Sequence, residues 1–270
     1  MTWTFSWAKA WYAIQLPLLF LTGALFVQTS LTLLLPGGFD ADDTTTNLQL
    51  GYPRSIEDIH SMTQQLTYYV EHHHSRVILA FLLCYTFLQC FGVPGSMLFA
   101  VLAGALFPST LLALLLVLLA TSVGASGCYL LSRRYFSAPL AWLFPERLNS
   151  WGTQVRSAAS GNGGLFGYLV AARVAPTVPN WFINLSSPHL GIPLRLFFPA
   201  TFLGVAPLAF VCVRAGISLR EAGVAQEIQL WTLSNTLLML GITLMAILPV
   251  WVKKNYLTQQ PTSSSKQKQG

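Results

Sequence analysis

Two proline-containing breaks interrupt long apolar segments of this 270-residue chain, one at Pro94-Gly95 and one between Pro176 and Pro179. In lipid every backbone N–H and C=O group needs a partner within the protein, so a broken backbone survives at membrane depth only where protein or a polar cavity covers it. Paired breaks in two corresponding halves of a chain are typical of a transport-type site. The sequence therefore predicts that these breaks lie at a buried polar site.

The composition is that of a membrane protein. Hydrophobic residues make up 53% of the chain and charged residues only 9%, whereas soluble domains carry about 25% charged residues. The mean hydropathy is +0.55, and several apolar stretches approach spanning length. We therefore predict an all-α polytopic membrane protein.

The placement of charges predicts the topology. Segment 36–76 holds six acids against two arginines, a net of −4, whereas segment 132–164 holds four arginines against one glutamate, a net of +3. The tail from Lys253 carries four lysines and no acid. Because cytoplasmic loops are enriched in lysine and arginine, we expect 132–164 and the tail to face the cytoplasm.

This charge bias favours four full spans over six, because six spans would place 36–76 and 132–164 on the same side. The residues of 77–92 reach only about 24 Å as a helix, less than a bilayer core of about 30 Å. Re-entrant hairpins remove the conflict, although six full spans remain the alternative. The chain is predicted to begin with an N-terminal tail and transmembrane anchor (1–35, spanning from 16), followed by an acidic non-cytosolic loop with an amphipathic helix (36–76). The core (77–217) contains hairpins 77–107 and 165–191 and helices 109–131 and 196–217. A C-terminal transmembrane helix (230–252) and a basic cytosolic tail (253–270) follow the core.

The two halves of the core are related by a repeat. A shift of 85 residues superposes Pro94 on Pro179 and Pro108 on Pro193, so the prolines have equal spacing in both halves. In each half a hairpin precedes a long helix, and the predicted topology makes the halves inverted. Inverted repeats commonly build a site near the bilayer midplane. We therefore predict an inverted repeat of re-entrant hairpin plus transmembrane helix.

The second hairpin is unusually polar for a membrane segment, and an ionisable residue there is a functional candidate by default. Guanidinium groups suit bidentate contact with phosphate. The alternative is that Arg173 bonds hairpin carbonyls and Arg195 snorkels to the interface. The candidate polar path consists of Arg173, Asn180, Asn184, Ser186 and Arg195, and the candidate breaks are Pro94, Gly95, Pro176, Pro179 and Pro188.

Other chemistry is not indicated. All nine acids lie outside the apolar segments, so no buried proton carrier is evident. No nucleophile elbow, phosphate-binding loop or dinucleotide fingerprint is present, and the four cysteines lack the spacing of a metal site. We expect no enzymatic activity, no metal or other cofactor, and no nucleic-acid partner.

Four strings resemble the DedA/VTT membrane-protein family: FGVPGSMLFAVLAGALFP, TSVGASGCYLLS, PNWFINLSSPHLGIPLRLFF and TFLGVAP. The last two resemble especially its eukaryotic transmembrane protein 41 branch. The resemblance covers roughly 51–255. It implies lipid scramblases of the endoplasmic reticulum that assist autophagosome growth, lipid droplets and lipoprotein export, and it implies paired re-entrant loops. Bacterial relatives place acids in membrane segments, which this chain lacks, so proton coupling is not expected. The family pattern marks Pro94, Gly95, Arg173, Pro179, Asn180, Trp181, Asn184, Pro188, Gly204 and Pro207.

Three functions follow as hypotheses. The leading one is an energy-independent phospholipid scramblase, with membrane phospholipids as its partners. The alternatives are an ion- or proton-coupled secondary transporter, and a non-catalytic membrane scaffold that recruits autophagy or lipid-transfer proteins. Lys266 and Lys268 resemble a dilysine retrieval signal, so we expect a multi-pass protein of the endoplasmic reticulum membrane with a cytosolic C-terminus.

Overall fold

The structure is a computed structural model that describes residues 7–34, 59, 63, 70–160, 164–174 and 178–222. Regular secondary structure within those residues is helical throughout. The helices with defined bounds are α1 (Trp7–Leu34), α2 (His74–Phe91), α3 (Ser96–Leu106), α4 (Thr110–Tyr135), α5 (Ser137–Leu143), α6 (Pro145–Ser160), α7 (Gly164–Val174), α8 (Asn180–Ser186), a 3₁₀ turn (Ser187–Leu190), α9 (Leu194–Gly204) and α10 (Ala206–Ala222).

Three of these helices are long and apolar enough to cross a membrane, namely Pro17–Leu34 within α1, His74–Phe91 and Thr110–Tyr135, with mean hydropathies of 1.7, 1.4 and 2.2. A fourth candidate span is the bent pair Leu194–Gly204 and Ala206–Glu221. The prediction of an all-α polytopic membrane protein is confirmed. The predicted span 230–252 and tail 253–270 lie outside the described residues.

The first hairpin region, predicted at 77–107, consists of α2 and α3 with a tight turn between them. Gly92 and Gly95 have φ angles of 66° and 98°, in the left-handed region that side-chain-bearing residues avoid. The turn contains Pro94, which cannot donate a backbone hydrogen bond. Since α2 already begins at His74, its 18 residues extend about 27 Å. Its re-entrant placement stays a prediction.

The second hairpin region, predicted at 165–191, contains α7, α8 and the 3₁₀ turn. Pro179 directly precedes α8. Its lack of an N–H costs nothing there, because N–H groups at the start of a helix have no partner within the helix. Pro188 lies in the 3₁₀ turn, which ends at Gly191 with a φ of 73°. The predicted break at Pro176 lies outside the described residues.

The helix predicted at 196–217 is divided in two. Helices α9 and α10 meet at Val205 with a bend of 41°. Pro207 explains the break, because its ring excludes the carbonyl group four residues earlier and it lacks an N–H. In addition, the Thr201 hydroxyl donates to the Phe197 carbonyl oxygen over 2.7 Å, a contact that often bends helices.

The segment between α4 and α7, predicted as the basic loop 132–164, is largely helical. Helix α4 continues to Tyr135, and α5 and α6 follow it. Residues of the predicted acidic loop 36–76 lie mostly outside the described part. Within it, Ile59 is helical and fully buried against the core formed by α2, α3 and α4. The predicted amphipathic helix stays a prediction.

Small residues bring two pairs of helices into close contact. A Cβ built on Gly104 of α3 would overlap the carbonyl oxygen of Val213 of α10, and one built on Gly216 would overlap that of Val101. In the same way, Gly127 of α4 leaves room for Cys90 of α2. Because lipid supplies no hydrophobic drive between helices, such close packing is a principal source of their association.

The packing follows the predicted repeat. Helix α2 packs on α4 as α7 packs on α9, so the leading helix of each half contacts the long helix that follows it. The short helices are exchanged: α3 packs on α10 of the second half, and α8 packs on α4 of the first half. Such reciprocal exchange is what two related halves produce. The opposite orientation of the halves in the membrane stays a prediction.

Candidate functional site

Arg173 stands at the end of α7, immediately before the second break, and only 8% of its surface is exposed. Its guanidinium donates through Nη1 to Oδ1 of Asn180 over 3.2 Å and through Nη2 to Oδ1 of Asn184 over 2.9 Å. These two asparagines are one helical turn apart on α8, so they share a face. We call Arg173, Asn180 and Asn184 the arginine–amide cluster.

Helix α9 forms the wall behind the cluster. The Cζ atom of Arg173 lies 5.0 Å from the centre of the Phe197 ring, a cation–π contact. A Cβ built on Gly204 would lie 2.7 Å from Cβ of Arg173 and 3.1 Å from the carbonyl oxygen of Val170. Glycine is therefore what lets α7 approach α9 closely enough to hold the arginine there.

The charge of Arg173 has no acidic partner among the described residues. Its recorded contacts are two neutral amide oxygens and one aromatic ring. Arginine in a membrane segment normally pairs with an acid or with backbone carbonyls. The predicted alternative, a bond from Arg173 to hairpin carbonyls, stays a prediction, because residues 175–177 of the hairpin lie outside the described residues. The cluster therefore has a positive charge that an anion can neutralise.

The cluster extends from the interior to the surface. Asn184 is buried, whereas Asn180 and the neighbouring Trp181 are exposed. The Trp181 ring lies 5.6 Å from that of Phe144, which precedes α6. The amide of Asn180 and the indole of Trp181 are thus exposed at this edge, and the amide connects to the buried guanidinium of Arg173.

The other predicted path residues lie outside the cluster. Ser186 is fully buried and its hydroxyl donates to the Phe182 carbonyl oxygen within α8. Arg195 is exposed on the first turn of α9. Because it precedes Phe197 by two residues, it points to roughly the opposite side of the helix from the ring that meets Arg173.

Polar contacts fix the second hairpin region to α4. The Ser132 hydroxyl donates to the Leu185 carbonyl oxygen over 2.5 Å and lies 3.1 Å from Nε2 of His189. The Tyr129 hydroxyl donates to the Ile192 carbonyl oxygen over 2.8 Å. His189 is thus hydrogen-bonded within the protein. These contacts hold α8 and the 3₁₀ turn in place beside Arg173.

Sequence reasoning did not assign Phe197 or Ser132 to the site. Phe197 stands in a run of apolar residues, and Ser132 was counted only within the basic segment. Their roles arise from contacts between distant parts of the chain, for which the sequence carries no local signal. No group of three or more histidine, cysteine, aspartate or glutamate side chains in the described part is placed to bind a metal ion.

The domain match and the similar known proteins point to the same family. Residues 93–218 match the model of the VTT domain. The chain is 39% identical over 204 residues to transmembrane protein 41B of Danio rerio, covering 75% of this chain and 70% of that protein. It is 35% identical over 207 residues to the transmembrane protein 41 homolog of Caenorhabditis elegans, covering 77% and 82% respectively.

Transmembrane protein 41B of Homo sapiens is 33% identical over 249 residues, covering 92% of this chain and 83% of that protein. No solved structure matches the chain significantly. The matched domain contains both the Pro94-Gly95 turn and the arginine–amide cluster. The chain belongs to the VTT-domain family of DedA-type membrane proteins, in its transmembrane protein 41 branch.

Proposed function

We propose that the protein is an energy-independent phospholipid scramblase and that the arginine–amide cluster receives the lipid headgroup. The observation that carries this proposal is Arg173, a buried cation with no acidic partner among the described residues, connected through Asn180 to an exposed edge. Every phospholipid headgroup contains a phosphodiester. A guanidinium binds its oxygens in a fork-like geometry that an ammonium group lacks.

A lipid headgroup replaces hydrogen bonds that Arg173 makes to Asn180 and Asn184. In the structure, Oδ1 of Asn180 and Oδ1 of Asn184 each accept a hydrogen bond from the guanidinium. A phosphate oxygen replaces either acceptor, and a rotated side-chain amide then donates to the phosphate through its N–H. The guanidinium thus remains hydrogen-bonded throughout the exchange, which avoids the cost of an unsatisfied buried charge.

The lipid's acyl chains stay outside this polar track. Moving a bare headgroup through hydrocarbon requires stripping water from its charges, which is the main barrier to spontaneous exchange between leaflets. A protein that offers hydrogen bonds at membrane depth lowers this barrier equally in both directions. No covalent step and no coupled ion are needed, so the protein acts as neither an enzyme nor a pump.

We also propose the endoplasmic reticulum membrane as the site of action, with the C-terminus in the cytosol. The motivation is the pair Lys266 and Lys268 near the C-terminus, together with the family resemblance. In that membrane, equilibration of leaflets supports autophagosome formation and lipid homeostasis. Autophagy or lipid-transfer proteins are the proposed protein partners.

Reconstitution tests the activity directly. The full chain is placed in liposomes that contain a headgroup-labelled fluorescent phosphatidylcholine, and dithionite then bleaches the label exposed on the outer leaflet. We expect bleaching of both leaflets with the wild type, at least a tenfold slower second phase with Arg173→Gln, and an intermediate rate with Arg173→Lys. Arg147→Gln, at an exposed position of α6, serves as the charge-matched control and keeps the wild-type rate.

Two results contradict the proposal. Bleaching of the outer leaflet alone, as in empty liposomes, with correctly inserted wild-type protein favours the scaffold hypothesis. Lipid movement that depends on an imposed pH gradient favours the coupled transporter.

A further inference from the structure

Helix α10 carries an arginine within a candidate membrane span that the arginine–amide cluster does not use. Arg214 lies in the second part of the bent pair Leu194–Gly204 and Ala206–Glu221, and its side chain is half-buried. Its Nε atom is buried without a hydrogen-bond partner. No contact to its two terminal nitrogens is recorded among the described residues.

Arg214 lies on a different side of α10 from the contact with α3. Val213 and Gly216 face α3, because their backbones meet Gly104 and Val101. Arg214 follows Val213 by one residue and is therefore turned about 100° away from that contact. Ser218 lies one turn beyond Arg214 on the same side, is also half-buried and has no hydrogen bond recorded in the described part.

Arg220 on the same helix behaves differently. Its Nη1 donates to the carbonyl oxygen of Phe107 over 2.9 Å, so it covers an acceptor at the C-terminal end of α3. The structural role of Arg220 is thus accounted for by the protein itself. Arg214 and Ser218 offer donors that the described residues leave unused.

We propose that Arg214 and Ser218 form a second phosphate-binding site, which takes the phosphodiester of a phospholipid. Residues four apart on a helix have their Cβ atoms about 6 Å apart, a spacing that lets a guanidinium fork and a hydroxyl contact different oxygens of one phosphate. Binding of the phosphodiester gives Arg214 an anionic partner, which this side chain otherwise lacks among the described residues of its candidate membrane span.

The site rests on the proposed scramblase function, to which it adds a second step. Arg173 packs beside Gly204, at the junction of α9 and α10. Arg195 precedes Gly204 by roughly 14 Å of helix axis and Arg214 follows it by roughly 15 Å, at about 1.5 Å per residue. Arg195 and Arg214 thus lie at similar distances on either side of the point where Arg173 packs against the bent helix pair.

Photolabelling tests the site without relying on transport. The full chain is reconstituted with a phosphatidylserine that carries a diazirine near its headgroup, and labelling of peptide 206–222 is quantified by mass spectrometry. We expect at least a fivefold loss of labelling with Arg214→Gln, a partial loss with Arg214→Lys and about a twofold loss with Ser218→Ala. Arg147→Gln keeps the wild-type value, and so does the wild type in excess inorganic phosphate.

Equal labelling of the wild type, Arg214→Gln and Ser218→Ala overturns the proposal and indicates an arginine that only snorkels to the interface. Loss of wild-type labelling in excess inorganic phosphate also overturns it, because the site then takes free phosphate.

Folding of each variant is checked by size-exclusion chromatography, and Arg214→Lys and Ser218→Ala decide the question if Arg214→Gln aggregates. Arg214-dependent labelling without lipid exchange refutes the scramblase proposal alone, whereas lipid exchange with Arg214-independent labelling refutes only the second site.

Discussion

Gly204 and Arg173 are placed so closely that a single methyl group between them has no room. The Cβ of an alanine at position 204 would lie 2.7 Å from Cβ of Arg173, below any ordinary carbon–carbon contact. Both atoms are fixed by helical backbones, so neither can move away by a rotation of its side chain. The position of the guanidinium therefore depends on the distance between α7 and α9.

Gly204→Ala tests this dependence. We expect α7 and α9 to separate, with a loss of about 1–3 kcal/mol in stability, as for overpacking of a close-packed core. Lipid exchange should also fall, because Arg173 then shifts relative to Phe197. The measurements are the thermal midpoint in detergent and the dithionite assay. Leu203→Ala, at a partly exposed position beside it, is the control, and a similar fall there would mean that α9 is merely fragile.

Asn184→Asp tests whether the uncompensated charge of Arg173 is what matters. A carboxylate at this position would lie about as far from Nη2 as the present amide oxygen, 2.9 Å away. The resulting ion pair would occupy the guanidinium, so we expect lipid exchange to fall at least fivefold while the protein stays folded. The rate is measured by dithionite bleaching and folding by size-exclusion chromatography.

The matched variant is Asn184→Ala, which removes the acceptor but adds no charge. We expect it to lower stability by about 1–3 kcal/mol, since a buried donor loses its partner, and to keep more exchange activity than the aspartate variant. A wild-type rate in Asn184→Asp would show that the free charge of Arg173 is not used.

The sequence predicted the parts of the site that depend on local pattern. Arg173, Asn180 and Asn184 are polar residues in an apolar segment next to a proline break, which is a strong signal because lipid makes such residues costly. The shift of 85 residues likewise pairs Pro94 with Pro179, and the structure shows corresponding helices on both sides of those prolines.

The sequence could not predict what depends on distance between helices. Phe197 looks like any lipid-facing aromatic residue, and its contact with Arg173 follows only from how α7 packs on α9. The bend at Val205, by contrast, has a local signal in Pro207, but the continuous hydropathy of 196–217 favoured a single helix. Arg195 is equivalent to Arg173 by residue type, but its rotation about the α9 axis from Phe197 points it to another side.

Ser132→Ala tests how the second hairpin region is held against α4. The change removes the donor to the Leu185 carbonyl oxygen and the neighbour of His189. We expect a loss of about 1–2 kcal/mol in stability, because a partly buried acceptor is left without its partner. The measurement is thermal unfolding in detergent.

Ser126→Ala is the control for that change. The Ser126 hydroxyl donates to the Ser122 carbonyl oxygen over 2.8 Å within the same helix, so its removal breaks no recorded hydrogen bond between helices and should cost less than about 0.5 kcal/mol. Equal destabilisation by the two variants would argue against Ser132 as an anchor of the hairpin.

Gly216→Ala tests the contact between the two halves. Its methyl group would overlap the Val101 carbonyl oxygen, a backbone atom that cannot yield without moving α3 away from α10, so we expect aggregation or a much smaller monodisperse peak in fluorescence-detected size-exclusion chromatography. Gly92→Ala is the informative comparison, because a methyl group there meets nothing within 4 Å and only the φ angle of 66° opposes it. That strain costs about 1–2 kcal/mol. A monodisperse Gly216→Ala protein with wild-type stability would refute close packing of α3 on α10.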